Sequence, residues 1–109
     1  MIRKGEIWIV EIPQLGGREQ EGVRPAIIVA NTKTPVVILI PCTSNLEALR
    51  FPHTLLIEPT KANGLDVSSI VLLFQIRALD KKRLVKKVGV LDKTKFRQIN
   101  NLLRKLLSL

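Results

Sequence analysis

Two short segments of this sequence carry side chains suited to chemistry. The first is Gly16-Gly17-Arg18-Glu19-Gln20-Glu21-Gly22-Val23-Arg24-Pro25. Pro25 disfavours the helical region for the residue before it, so the backbone at Arg24 is expected to be extended at the start of a strand. A guanidinium fixed at a strand mouth, under a glycine-hinged loop, suits a phosphate, whose oxygens its planar donors grip in pairs. A surface ion pair with Glu19 or Glu21 accounts for the same arginine equally well. The second segment is Pro41-Cys42-Thr43-Ser44-Asn45. Hydroxyls at a strand end donate to phosphate oxygens or to a nucleobase edge. They also cap turns, which is the commoner use of Thr-Ser-Asn.

The remaining reactive groups offer less. His53 is the only histidine, so a mechanism needing paired histidines as acid and base cannot be assembled within one chain. A single histidine at the start of a strand is more often structural. Cys42 is the only cysteine. It has no disulfide partner within the chain, and a lone cysteine usually behaves as a small buried hydrophobe. No group of His, Cys, Asp and Glu has metal-ligand spacing. Neither a metal nor another cofactor is expected.

Charge points to the kind of partner. The net charge is +9, and it is unevenly placed. Residues 1–80 hold equal numbers of basic and acidic side chains, whereas residues 81–109 hold ten Lys/Arg against Asp92 alone. Such a concentration suits a polyanion, because neutralising phosphates releases counterions. A solvated helix face, or a dock for an acidic protein, would use the same charges. No apolar run approaches the roughly 18 residues of a membrane span. The opening Met1-Ile2-Arg3-Lys4-Gly5 lacks the apolar stretch of a signal peptide. A cytoplasmic protein with no membrane association is expected.

The elements that would position these groups are mostly strands. Strand-like segments cover residues 5–12, 23–30, 35–42, 53–58, 69–79 and 84–91, separated by Pro, Gly and Asn signals. The run Val36-Val37-Ile38-Leu39-Ile40 has no polar face and is expected to be buried on both sides. Residues 59–66 form a turn-rich connection around Asn63-Gly64. Near the end the period changes. Phe96, Ile99, Leu102, Leu103, Leu106 and Leu107 recur at helical spacing, with Asp92 as N-cap. The 109 residues have room for one core, so a single domain over residues 1–109 is expected. It would be a mainly β fold: a curled antiparallel sheet or small barrel packed by a terminal amphipathic helix.

Several motifs together resemble the MazF/PemK toxin family. They are Lys4-Gly5-Glu6-Ile7-Trp8, Glu19-Gln20-Glu21-Gly22-Val23-Arg24-Pro25, the Thr43-Ser44 pair, Gly64-Leu65-Asp66, Gln75-Ile76-Arg77-Ala78-Leu79-Asp80-Lys81-Lys82-Arg83-Leu84 and Val88-Gly89-Val90-Leu91-Asp92. The resemblance covers essentially the whole chain. It implies an SH3-like barrel, a homodimer, and metal-independent, sequence-selective cleavage of single-stranded RNA in a groove across two subunits. It also implies a cognate antitoxin that occupies the groove. By position, Arg24 and Thr43 match the family's catalytic arginine and threonine, and Glu19 and Gln20 fall in its active-site loop. Asn31, Ser44 and Gln75 sit where some members touch RNA.

The sequence also departs from that pattern. Leu72 and Phe74 stand where some members carry an arginine and an aspartate of their acid–base set, and Glu21 replaces a common loop glycine. The expected chemistry is therefore transesterification resting on Arg24 and Thr43. The ribose 2′-hydroxyl attacks phosphorus, leaving a 2′,3′-cyclic phosphate and a 5′-hydroxyl. Two other functions fit parts of the pattern. A CcdB-like toxin would poison gyrase by binding, but it has no need of a phosphate-gripping pair. A non-catalytic RNA-binding barrel would accommodate Leu72, Phe74 and Glu21.

Overall fold

The computed structural model describes residues 1–13 and 22–109. Its seven strands are β1 (Glu6–Ile12), β2 (Gly22–Asn31), β3 (Val36–Thr43), β4 (Thr54–Ile57), β5 (Ser69–Leu72), β6 (Arg77–Asp80) and β7 (Leu84–Val90), followed by the helix α1 (Lys93–Leu107). Three short 3₁₀ turns, Leu46–Arg50, Leu73–Gln75 and Lys81–Arg83, lie between strands. All strand pairs are antiparallel, and the hydrogen-bonded path runs β4-β5-β3-β2-β1-β7 with β6 also on β3. The barrel expected from the sequence is a curled sheet whose path does not close, since no ladder joins β7 to β4 among the described residues.

The absence of a polar face in β3 is explained by what lies on each side of it. Side chains alternate across a strand. Ile40 and Cys42 enter a core beneath the helix, together with Ile7, Ile27, Val71, Ile99 and Leu103. Val37 and Leu39 point the other way, into a second core with Val10, Ala26 and Ile28. Leu79 of β6 and Leu84 of β7 pack on that second core, so the sheet wraps around it. Burying each large aliphatic side chain contributes about 1.5–3 kcal/mol, and β3 supplies both layers.

The segment expected to be one long strand, residues 69–79, is broken. β3 pairs with β5 through Cys42↔Val71 and Thr43↔Ile70, then with β6 through Leu39↔Arg77 to Val36↔Asp80. Continuing the first register would set Leu39 opposite residue 74, so the pairing slips by three residues. The 3₁₀ turn Leu73–Gln75 takes up those three. Leu73 anchors it in the helix-side core, and its backbone N–H donates to the His53 carbonyl at 3.0 Å. Apolar continuity concealed the break, because Leu72, Leu73 and Phe74 read as strand formers whether or not they stay in the ladder.

The terminal helix starts where its cap predicts. The Asp92 side chain accepts from the Lys95 backbone N–H at 2.8 Å, satisfying one of the orphan donors of the first turn. Ile99 and Leu103 are buried against the sheet, and Phe96, Leu102 and Leu106 pack around them. Lys93, Lys95, Arg97, Arg104 and Lys105 are the helix's basic residues. No helix of the described residues is long and apolar enough to cross a membrane.

A buried carboxylate and a buried amide fix the ends of the sheet. Burial works to raise the pKa of Glu6, but donation from Trp8 Nε1 and from the Arg3 backbone N–H, with the Lys87 ammonium 2.9 Å away, outweighs it and lowers the value. Asn63 accepts from the backbone N–H groups of Thr60 and Leu65 and donates to the Glu58 carbonyl. The next residue, Gly64, has φ +68°, and a Cβ there would lie 2.0 Å from the Val88 carbonyl oxygen. Gly64→Ala therefore meets both a steric and a torsional barrier and should cost at least about 2 kcal/mol. Urea unfolding checks this; a change below about 0.5 kcal/mol would mean that the turn is not pressed against β7.

Candidate active site

Strand register brings the two principal candidates together. Arg24 lies near the start of β2, paired with Val10 of β1. The last hydrogen-bonded pair between β2 and β3 is Ala26↔Pro41. Arg24 and Thr43 each lie two residues beyond that last pair, toward the same end of the sheet, where Arg24 stays paired with β1 and Thr43 passes to β5. Alternation puts Arg24 on the face of Ala26 and Ile28, and Thr43 on the face of Leu39 and Pro41, both facing away from the helix. The two groups thus share one rim of the curl. Pro25, half-buried in the strand, keeps Arg24 extended as the sequence predicts.

Thr43 is 93% shielded, with 7% relative exposure, and opens onto a depression of about 380 Å³ lined also by Asn45, Arg50, Phe51, Phe74 and Gln75. Its Oγ1 accepts from the Asn45 backbone N–H at 3.2 Å. A hydroxyl has one proton and two lone pairs, so this contact uses a lone pair and leaves the proton for an acceptor outside. The Asn45 side chain in turn caps the 3₁₀ turn Leu46–Arg50, accepting from the Glu47 backbone N–H at 3.1 Å. Gln75 stands at the end of the Leu73–Gln75 turn, and its Oε1 accepts from Arg77 Nη2 at 3.0 Å. The register slip is therefore what delivers Gln75 to the wall opposite Thr43.

The other candidates are distributed unevenly. Ser44 follows Thr43 on the exposed side of the bend. Asn31 lies seven residues from Arg24, at the far end of β2, a separation of about 23 Å along the strand. Its side chain donates to the Ile2 carbonyl at 2.9 Å and accepts from the Lys33 backbone N–H, and it is not brought to the end of the sheet that holds Arg24 and Thr43. Glu19, Gln20 and Glu21 lie outside the described residues. The flanking residues Pro13 and Gly22 are described: Gly22 pairs with Ile12, and Pro13 shares a shallow depression with Phe74, Gln75 and Arg77.

Leu72 and Phe74, the departures from the family pattern, have separate fates. Leu72 is buried with Ala48 and Ile70 beneath the Leu46–Arg50 turn, whereas Phe74 is 41% exposed. His53 has φ +61°, a region in which histidine is tolerated better than bulky residues, and its carbonyl holds Leu73. That is a backbone role. Cys42 is buried in the helix-side core, and burial pushes its thiol up to about 12. The adjacent Thr43 faces the opposite side of the strand. Among the described residues no three His, Cys, Asp or Glu side chains form a metal-holding group.

Arg50 and Phe51 are lining residues that the sequence did not single out, whereas Asn45 does the turn capping read for Thr-Ser-Asn. They fall between the strand-like segments 35–42 and 53–58, and their only signal was that Phe51 is one of three phenylalanines in the chain.

A curled antiparallel sheet with a C-terminal helix, carrying an arginine and a buried hydroxyl toward one end, defines a small-barrel-like class. Over residues 3–107 the chain matches the model of the PemK-like, MazF-like toxins of type II toxin–antitoxin systems, and it belongs to that family. It is 37% identical to a protein named Endoribonuclease MazF from Staphylococcus epidermidis, across 94% of this chain and 88% of that one. The fold is similar to that of MazF from Deinococcus radiodurans, with a TM-score of 0.81 and 24% identity over 97% of this chain and 96% of that one. It is also similar to an endoribonuclease solved in complex with its cognate antitoxin from a mycobacterial species, with a TM-score of 0.76 and 22% identity, covering 100% and 97% of the two chains.

The burial of Cys42 gives a direct check on which face of β3 is open. In the native protein at pH 8, a thiol reagent should label Cys42 at least about 100-fold more slowly than in the unfolded chain, because the thiolate is the reactive form. Equal rates would contradict a closed helix-side core.

Proposed function

We propose that this protein is the toxin of a type II toxin–antitoxin pair and acts as an endoribonuclease on single-stranded RNA. We propose further that residues 1–109 work as one domain, that the protein is a homodimer in the cytoplasm, and that a cognate antitoxin restrains it. The observation that supports the activity is the pairing of β2 with β3, whose last pair, Ala26↔Pro41, leaves Arg24 and Thr43 two residues further toward the same end of the sheet. The curated relative named as an endoribonuclease supports it.

In this reading the scissile phosphate sits across the ends of β2 and β3. The 2′-oxygen forms a bond to phosphorus, the bond to the 5′-oxygen breaks, and the proton lost by the 2′-hydroxyl is balanced by one gained at the 5′-oxygen. Arg24 stabilises the charge that develops on the phosphoryl oxygens. Thr43, whose lone pair is occupied by the Asn45 N–H, donates to a non-bridging oxygen. Preorganised donors of this kind contribute about 3–4 kcal/mol each in a site shielded from water. Arg24 is not the proton shuttle, since a guanidinium has almost no deprotonated form to cycle through.

Gln75 and Ser44 stand nearest the scissile linkage as RNA contacts. Glu19 and Gln20 belong to the connection between Pro13 and Gly22, and Pro13 itself shares a depression with Phe74 and Gln75. Asn31 would meet a nucleotide well removed from the cleaved bond. The basic residues of 81–109 add long-range attraction that weakens with salt.

Incubating the purified protein with a long single-stranded RNA in EDTA tests the proposal. Discrete fragments with 5′-hydroxyl ends are expected, and Arg24→Ala should lower the rate at least about 100-fold while leaving the folded state intact. Strict dependence on added divalent metal, or full activity in folded Arg24→Ala, would contradict the mechanism. Intact RNA with a mobility shift would make the protein a binding module.

A further inference from the structure

The depression that begins at Thr43 ends in an aromatic pair. Phe51 and Phe74, from segments 23 residues apart, meet edge to face with ring centroids 6.0 Å apart and planes inclined by 67°. Both are exposed, Phe51 by 45% and Phe74 by 41%. The Arg50 guanidinium lies over the Phe51 ring, 5.0 Å from its centroid. Aromatic rings left half in solvent beside a cation forgo roughly half of the about 1.5–3 kcal/mol that full burial of such a side chain contributes.

We propose that Phe51 and Phe74, with Arg50, form a stacking subsite for an unpaired nucleobase flanking the phosphate bound by Arg24 and Thr43. This rests on the nuclease reading and deepens it. Three features commit the surface to a base. Its rings and its guanidinium are the groups on which single-stranded bases stack. The same depression presents the Gln75 and Asn45 amides and the Glu47 carboxylate, which match the donors and acceptors of a base edge. It is also continuous with Thr43, so a base held there keeps its own phosphate close to the rim.

The subsite gives Phe74 a use. The Leu73–Gln75 turn lifts it out of the ladder, with Leu73 directed into the core and Phe74 into solvent. On the other wall, the Asn45-capped turn Leu46–Arg50 fixes the approach of Arg50 and Phe51. Each half of the platform is thus carried on a short turn held by one buried residue, Ala48 on one side and Leu73 on the other. Stacking reads any base with a π-face, so this subsite selects single strands over duplex more than it selects sequence.

Fluorescence anisotropy with two fluorescein-labelled probes separates stacking from phosphate binding. One is a pool of random-sequence single-stranded DNA decamers, which lack the attacking 2′-hydroxyl. The other is an abasic decamer with the same phosphates. The unsubstituted protein should prefer the base-bearing pool. Phe51→Ala and Phe74→Ala should each weaken that binding about 5- to 150-fold and leave abasic binding unchanged, while Phe74→Trp retains the preference. Equal weakening on both probes, or no change on either, overturns the subsite. A fall in oligomeric state of the Ala variants in sedimentation also overturns it, assigning the rings to contact with a second copy of this chain. If the unsubstituted protein neither binds the pool nor cuts long RNA, the nuclease reading fails; if it does both and the Ala variants match it, only the subsite fails.

Discussion

The pairing of β2 with β3 is the constraint on which the rest of the molecule depends. β3 has one edge against β2 and divides the other between β5 and β6. Its side chains enter two different cores. A slip of one residue would exchange those faces, sending Cys42 toward the rim and Thr43 beneath the helix. The apolar mass on both sides makes such a slip costly. The hydroxyl at position 43 is therefore positioned by Val37, Leu39, Ile40 and Cys42, which make no chemistry themselves.

The second consequence of the same strand is the three-residue offset between its two partners. β5 and β6 cannot be one straight strand if both registers are kept, and Leu73–Gln75 absorbs the excess. Irregular backbone of this sort redirects side chains at the edge of a sheet, much as a bulge does. It delivers Gln75 and Phe74 to the depression that Thr43 opens onto. Packing of the helix core against Leu73 ties the position of this turn to α1, so the amphipathic helix also supports the wall of the site.

The chain disclosed its periodic parts readily. The spacing from Phe96 to Leu107 and the cap at Asp92 specified the helix. The unbroken run at residues 36–40 specified a central strand. Arg24 before Pro25, and Thr43 at the end of that strand, were legible as candidates from residue type and local backbone restriction. What stayed hidden depended on pairing between distant residues. Nothing in Ile70-Val71-Leu72-Leu73-Phe74 marks where the ladder breaks, because that follows from which residues of β3 lie opposite. The meeting of Phe51 with Phe74 was hidden for the same reason. Asn31 was grouped with the site by likeness of position in the family, whereas the length of β2 carries it to the opposite end.

A double-substitution cycle on the cleavage rate tests most directly whether one guanidinium and one hydroxyl act on a single phosphate. The rates of Arg24→Ala, Thr43→Ala and the combined variant would be compared under single-turnover conditions. Groups that stabilise the same transition state as a unit are strongly non-additive. The account predicts that the double variant is no more than about 10-fold slower than the worse single variant. Losses that simply multiply, or a folded Thr43→Ala enzyme cutting at the unsubstituted rate, would contradict it.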